Sequence, residues 1–483
     1  MNAVHEHNHS LNRFAVIPTP LRLNAAPDYT GQGVTIAFLD SGFFPHADLV
    51  EPRNRIVAYQ DLFDEQIELK ATKSSQLWQW HGTQTTVVAA GSGYLSNGTY
   101  RGLASQGQLV LVKVSERGRI SEDSIARGIE WVIENRQRYN IRVLNISLGG
   151  DEDIPCSKSV IDQAAERAIE LGIVVVVAAG NSGAEGRHSI PPANSPSVIT
   201  VGGYTDNNQL SGESLELYRS NFGATADGTV KPEVIAPAMW VAAPILPCTS
   251  EYDRAEALSQ IAFAADYEVP LLARALSDIA NFPKDLMLSD IEAVRAHVEL
   301  SLSEYKIVAT HYQHVDGTSF AAPIVSSIVA QMLEANPQLT PAAVKSTLIS
   351  SADRLRNSAA VRQGFGVVNA RQAVALARNE RHLLTSSKYG PPRVVDGKLV
   401  FIYHNDTAET VSLAAEFNNW SVYATPLRKD SDGLWRVELR SPALGRYEYK
   451  FVIDGKRWIE DPSNGMRVND NQGGLNSLLL VME

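Results

Sequence analysis

Short apolar runs that alternate with helical segments constrain this chain more than any other feature. Val34 to Asp40, Leu109 to Val114, Val143 to Ser147, Ile173 to Ala178 and Val198 to Gly202 are runs of the length and character of buried parallel strands. Helical patterns lie among and beyond them. Trp80-His81-Gly82-Thr83 opens a small-residue helix over Thr85 to Gly91, and Ser121 caps another that runs through Trp131 and Ile133, with Glu122 and Asp123 in its first turn. Further helices are predicted at Val160 to Leu171, Ser319 to Ala335, Thr340 to Ser351 and Asn369 to Asn379. Such alternation predicts an α/β fold, a doubly wound parallel sheet covered by helices on both faces. Active sites in such sheets lie at the carboxyl ends of the strands.

Candidate chemistry sits at those ends. Asp40 ends the first strand, and Asn181 follows Val174-Val175-Val176-Val177-Ala178-Ala179-Gly180. Ser319 lies in Asp316-Gly317-Thr318-Ser319-Phe320-Ala321-Ala322-Pro323, where a Gly turn delivers it to the start of an apolar helix. A backbone N–H there is ready to stabilise an oxyanion. Pro323 is expected in the first turn, where it needs no N–H partner. A nucleophilic Ser needs a base and a group to orient that base. His81 and Asp40 supply those types, and the Asn181 amide is a second oxyanion donor. Singly, each has an ordinary alternative as a turn residue, loop residue or cap.

Together, in the order Asp, His, Asn, Ser, these segments resemble the subtilases, the subtilisin-like serine peptidases. The resemblance runs from about Gly31 to about Ala377. It implies that Asp40 orients His81, that His81 is general base and acid, and that Ser319 is the nucleophile. It implies an oxyanion hole made by Asn181 and the Ser319 N–H. It also makes Ser147, Leu148 and Gly149, in Asn145-Ile146-Ser147-Leu148-Gly149-Gly150, a substrate strand that pairs with an extended peptide. Ile190 falls near the floor of the first specificity pocket, which suggests a modest apolar side chain. A silent subtilase scaffold that binds without cutting is the competing reading.

Composition agrees with a soluble globular chain of two or three domains. The 483 residues carry 44% hydrophobic and 20% charged side chains and a net charge of −11, which argues against nucleic acid or an anionic membrane as main partner. No run has the length to span a bilayer. Met1 to His9 has neither a basic start nor an apolar core, and only Cys156 and Cys248 are present, so a reducing cytoplasmic location with free thiols is expected. Histidines 5, 7 and 9 read as incidental rather than as a metal site. Residues 1–30 form an N-terminal extension. Its segment Arg13 to Pro18 is either an inhibitory strand across the substrate site or a strap packed on the peptidase surface.

Three departures from the family stand out. About 60 extra residues, near 249–308, intervene before the nucleophile; Leu258, Ile261, Phe263, Leu271, Leu272, Leu276 and Ile279 recur at helical spacing there. This predicts a helical insertion, either a lid or a packed decoration. Gln84 replaces a common His after His-Gly-Thr. The loop Gly91 to Arg101 differs from a calcium loop, so neither metal nor cofactor is expected.

Residues 378–396 read as a polar linker closing the peptidase domain of 31–377. From 397 to 483 the runs Leu399 to Tyr403, Val411 to Phe417, Trp435 to Leu439, Arg446 to Ile453 and Leu478 to Val481 alternate apolar and polar, a small all-β sandwich. Phe417-Asn418-Asn419-Trp420, Tyr447-Glu448-Tyr449-Lys450-Phe451, Trp458, Asp461-Pro462 and Asn476 resemble the glycogen-binding module of AMP-activated kinase β subunits and starch-branching enzymes. The resemblance implies that Trp420 and Trp458 stack on sugar rings while Lys450 and Asn476 bond hydroxyls of glycogen or a maltooligosaccharide. The alternative is that these Trp belong to a module used for docking. A carbohydrate-active enzyme is excluded, since nothing else in the chain supplies a barrel with paired carboxylates. The partners expected are therefore a peptide or protein substrate and an α-glucan.

Overall fold

The computed structural model describes residues 16–483 apart from 65–68, 70–74, 151–153, 184–187, 211–214, 284–285, 287–289, 356–357, 379–391, 396–397, 406, 431–432, 444, 463, 465–466, 471–473 and 482–483. The three N-terminal histidines, Arg13 to Ala15 and most of the linker lie outside the described residues.

Seven strands build the central sheet: β1 (Thr35–Asp40), β2 (Ile56–Asp61), β3 (Gln108–Lys113), β4 (Ile141–Ile146), β5 (Val174–Ala178), β6 (Ile199–Thr205) and β7 (Val234–Pro237). Their order is β7-β6-β5-β4-β1-β3-β2, each of these pairs parallel, and an eighth, two-residue strand, Glu216–Leu217, adds antiparallel to β6. Alternate residues feed opposite faces. Ile36 and Phe38 join one core with the helices Trp80–Ala90, Thr318–Ala335 and Ala370–Ala377, whereas Ala37 and Leu39 join the other with Glu122–Asn135 and Val160–Glu170. The chain leaves β1 for β2 and β3 on one side, then crosses to β4 on the other. Asp40 therefore ends the strand at which the winding reverses, the place where such sheets open a crevice.

The insertion is helical, with Ser250–Phe263, Val269–Ala275, Ser277–Ala280 and Ile291–Glu304 around a core that includes Leu258 and Ile261. Phe263, Leu271 and Ile279 face outward instead. This core also takes in Trp80, the residue before His81.

The C-terminal sandwich has two antiparallel sheets. One runs Arg393–Val395, Lys398–His404, Leu434–Arg440, Arg428–Lys429; the other runs Val411–Ala415, Gly445–Ile453, Leu475–Val481, Arg467–Asn469, with Arg457–Ile459 paired to Gly445–Ile453. The strand Arg393–Val395 shows that the sandwich begins within the stretch read as linker. Val411–Ala415 also stops short of Phe417, where a single 3-10 turn, Glu416–Asn418, takes over.

The described part of the N-terminal extension is a strap. The Ile17 N–H donates to Asn208 Oδ1 at 2.8 Å, and a one-turn helix, Thr19–Arg22, follows. Arg22 donates to the Met239 carbonyl at 2.9 Å and pairs with Asp206 at 3.0 Å. Ile17 and Pro18 thus lie against Asn208 and the turn that leads to it.

Candidate active site

Asp40 is 1% exposed. Its Oδ1 accepts the Ser41 N–H at 2.7 Å and the Ser41 hydroxyl at 3.2 Å, and Thr85 Oγ1 approaches Oδ2 at 3.4 Å. His81 Nδ1 lies 2.9 Å from both carboxylate oxygens. Burial works to lower the His81 pKa, but the charge of Asp40 and its hydrogen bond outweigh that, and the net shift is upward from 6.5. The approach depends on Gly82. A Cβ there would sit 2.3 Å from the Gly42 carbonyl and 2.8 Å from Asp40 Cβ, so only glycine lets the helix carrying His81 come this close.

Ser319 is the second residue of the helix Thr318–Ala335, directly after Gly317 at φ 142°. Pro323 is the sixth residue, not part of the first turn as the sequence suggested. Lacking an N–H, it leaves the Ser319 carbonyl without its intrahelical donor. The Ser147 hydroxyl fills the gap, donating to that carbonyl at 2.9 Å. Asn145 Nδ2 donates to Ser147 Oγ at 3.2 Å, and Ser326 donates to Asn145 Oδ1 at 2.9 Å. A buried polar chain thus bolts the Ser319 turn to the end of β4. Asn145 stands as a lone polar residue in an apolar run and Ser326 as one of a Ser pair in another, and such residues must find partners when buried; their partners were not legible.

Asn181 is exposed, and its Oδ1 accepts from the Thr318 N–H at 2.9 Å and the Thr318 hydroxyl at 3.1 Å. That fixes the amide with Nδ2 as its outward donor. Thr318 is the positioning residue that sequence reasoning missed. Among the described residues, His81 pairs with Asp40 and its ring lies 5.9 Å from that of Phe320, with no hydrogen bond to Ser319. Such bonds commonly tighten only with substrate present. Leu148 and Gly149 lead away from Ser147. The Gly150 N–H donates to the Pro191 carbonyl at 2.8 Å, which sets Ile190 about 3.5 Å from where a Gly149 Cβ would stand.

A profile of the subtilase family matches residues 31–367. The chain belongs to the subtilase family. Serine protease AprX of Bacillus subtilis is 31% identical over 353 residues, covering 71% of this subtilase and 67% of AprX. Subtilisin E of the same organism is 35% identical over 185 residues, covering 38% of this chain and 43% of its own. A solved structure described as proteases from Pseudoalteromonas arctica aligns with TM-score 0.49 at 22% identity, over 74% of this chain and 94% of that one. This subtilase is a serine endopeptidase. Carbohydrate-binding module 48, the isoamylase N-terminal domain, matches residues 388–464.

In that module two left-handed residues, Asn419 and Trp420, follow the turn Glu416–Asn418 and carry Trp420 toward Trp458. The ring centroids are 6.3 Å apart with the planes tilted 39°, and Trp458 is 42% exposed. Lys450 Nζ pairs with Asp470 at 2.7 Å, and Asn476 Nδ2 donates to Glu448 at 2.7 Å. The structure therefore gathers the two Trp. It binds Lys450 and Asn476 to carboxylates of the module. No described helix is long and apolar enough to cross a membrane, and the described residues hold no group of three or more His, Cys, Asp or Glu placed to hold a metal ion.

Proposed function

We propose that this subtilase cuts peptide bonds through Asp40, His81 and Ser319 and is directed to α-glucan by its C-terminal module. The observation that carries the first half is the buried Asp40 carboxylate held against His81 Nδ1. That bond keeps the Nδ1–H tautomer and leaves Nε2 free as a base. Ser319 Oγ attacks the carbonyl carbon as its proton passes to Nε2. Negative charge gathers on the carbonyl oxygen, which accepts from Asn181 Nδ2 and the Ser319 N–H. Collapse expels the amine, which takes the proton from His81, and leaves an acyl ester on Ser319. Water then repeats the sequence and frees the acid. Ser147, Leu148 and Gly149 pair with the substrate backbone. The paired Trp420 and Trp458 support the glucan half, since flat sugar faces suit aromatic platforms. Cys156 and Cys248 are free thiols, which suits a reducing cytoplasm.

A fluorophosphonate probe tests the peptidase half. Folded protein should label on Ser319, and Ser319→Ala should lose both the label and about 10⁶-fold in turnover. A folded protein that never labels is the silent scaffold. For the glucan half, the full chain should be retained on glycogen, and Trp420→Ala or Trp458→Ala should weaken retention about tenfold or less.

A further inference from the structure

The two sheet faces of the sandwich can be sorted from its register. Opposed residues in an antiparallel pair share a face, as do residues two apart on a strand. Trp458 opposes Val452, and Leu478 opposes Glu448. Val468 opposes Asn476. One outward face therefore carries Trp458, Val452, Lys450, Glu448, Leu478, Asn476 and Val468. The residues between them, Tyr449, Phe451 and Leu479, form the sandwich core instead.

Val468 and Leu478 are apolar on a face that an isolated sandwich turns to water, yet they are 7% and 1% exposed. What covers them is the N-terminal strap. Ile17 and Leu21 pack with Val468 and Leu478 in one cluster, with Leu210 of the peptidase at its border. Nearby, Arg371 of the peptidase helix Ala370–Ala377 lies within the field of Asp461 of the sandwich. Asn476 sits between the two covered residues, opposite one and two along from the other, and is itself 8% exposed. The Trp420–Trp458 end of the same face stays accessible.

We propose that the strap Val16–Leu23 is an intramolecular clasp that occupies the Asn476 end of the module's sugar face, so that the peptidase domain and a long glucan compete for one surface. The competition rests on the glucan reading above; the clasp does not. A glucan that stacks on Trp458 and runs on toward Asn476 must lift Ile17 and Leu21. The clasp reaches the peptidase centre through a short path. Arg22 holds the Met239 carbonyl. The next N–H, that of Trp240, donates to Asp316 at 3.2 Å, three residues before the nucleophile. Binding couplings are reciprocal, so a glucan that opens the clasp must bind more tightly whenever the clasp is weakened by other means.

The test uses the full chain with Ser319→Ala to prevent self-cleavage, with and without Leu21→Asp, and separately with Val468→Asp from the module side. Thermal melting and circular dichroism check that each form is folded. Small-angle scattering without sugar judges the clasp. Both charge variants should lengthen the largest particle dimension by more than about 10 Å, well within the roughly 50 Å that the chain from Arg378 to Pro392 can span. Unchanged scattering from a folded Leu21→Asp protein overturns the clasp, and Val468→Asp decides if Leu21→Asp does not fold. Titration with glycogen judges the competition. Opening should raise affinity about three- to tenfold, since the closed form taxes binding by its population. Equal affinity in open and closed forms overturns the shared surface. Opening with no glucan binding by any form leaves the clasp standing and removes the glucan reading instead.

Discussion

Replacing Asp40 with Asn tests the reading of the active site most sharply, because the surroundings dictate which way the amide must turn. The Ser41 N–H points at Oδ1 from 2.7 Å and requires an acceptor there. The amide oxygen of Asp40→Asn takes that place. Nδ2 then takes the Oδ2 position, 2.9 Å from His81 Nδ1, with Thr85 Oγ1 at 3.4 Å as a second acceptor. An N–H donor facing Nδ1 moves the imidazole proton to Nε2, where it blocks transfer from Ser319. The carboxylate's attraction for the imidazolium is lost as well. Two unit charges about 3 Å apart attract by about 5–6 kcal/mol at an effective dielectric of about 20. At about 1.4 kcal/mol per decade that is on the order of 10⁴ in turnover, the size found when another triad carboxylate becomes an amide. The assay is kcat/KM on a chromogenic peptide from pH 5 to 9, with a thermal melt for each form. A base must be neutral to work, so wild-type activity should fall on acidification through a pKa above 6.5, the direction in which Asp40 moves His81. In Asp40→Asn that acid limb should shift to lower pH. A folded variant with more than a tenth of wild-type turnover, or with an unmoved acid limb, would refute the reasoning.

Gly82→Ala should cut activity at least a hundredfold and lower the melting temperature, since its Cβ must push the His81 helix from the Gly42 carbonyl 2.3 Å away; paired melting and kinetic measurements check both. Lys231 is fully buried, and burial lowers its pKa to about 8 against the opposing pull of Glu233, which bonds both Lys231 and Lys345 at 2.7 Å. Glu233→Gln leaves two ammonium groups without their carboxylate and should cost about 3–5 kcal/mol in urea unfolding at pH 7, less at pH 10, where Lys231 sheds its proton. Asp162 is fully buried, and burial raises its pKa to about 7 against the Ser159 hydroxyl, which works to lower it. The folded state then holds a proton that the unfolded chain releases near pH 4, so stability should decline as pH rises from about 4 to 7. Asp162→Asn should flatten that decline and gain about 2 kcal/mol at pH 8, half the ceiling that three pKa units imply; melts at pH 5 and 8 decide.

The parts of the proposed site that could be read are those whose signal is local. Asp40 at a strand end and His81 before Gly82 each carry their signal within a few residues, and the structure sets them 2.9 Å apart; Ser319 after Gly317 was read the same way. The alternation of runs gave the parallel sheet for the same reason. What escaped was set at long range. Pro323 was placed one turn too early because nothing nearby reveals that Ser147, from another strand, would take the orphaned Ser319 carbonyl. The strand Arg393–Val395 is stabilised by pairing with Lys398–His404 and carries too few residues to announce itself. The strap is similar: Ile17 and Leu21 look like ordinary apolar residues until Val468 and Leu478, over 440 residues away, are seen against them. Phe263, Leu271 and Ile279 erred the other way. Their spacing was helical, but spacing alone does not say which stripe of a short helix meets the core.

The position of the nucleophile helix also orders events in time. Thr318–Ala335 packs against five strands of the sheet and is buried along most of its length, yet Ser319 follows Asp40 by about 280 residues. Ribosomes add roughly 5–20 residues per second, so Asp40 emerges roughly 15–60 s before Ser319. Over that interval Val143 and Val176 lack the helix Thr318–Ala335 that packs on their strands, and Ile36 and Phe38 have only Trp80–Ala90. The nascent chain is therefore exposed to aggregation and to holding factors, but it is chemically inert. The same step that seals the sheet's open face delivers Ser319, so on the proposed mechanism this chain begins to cut only as it finishes folding.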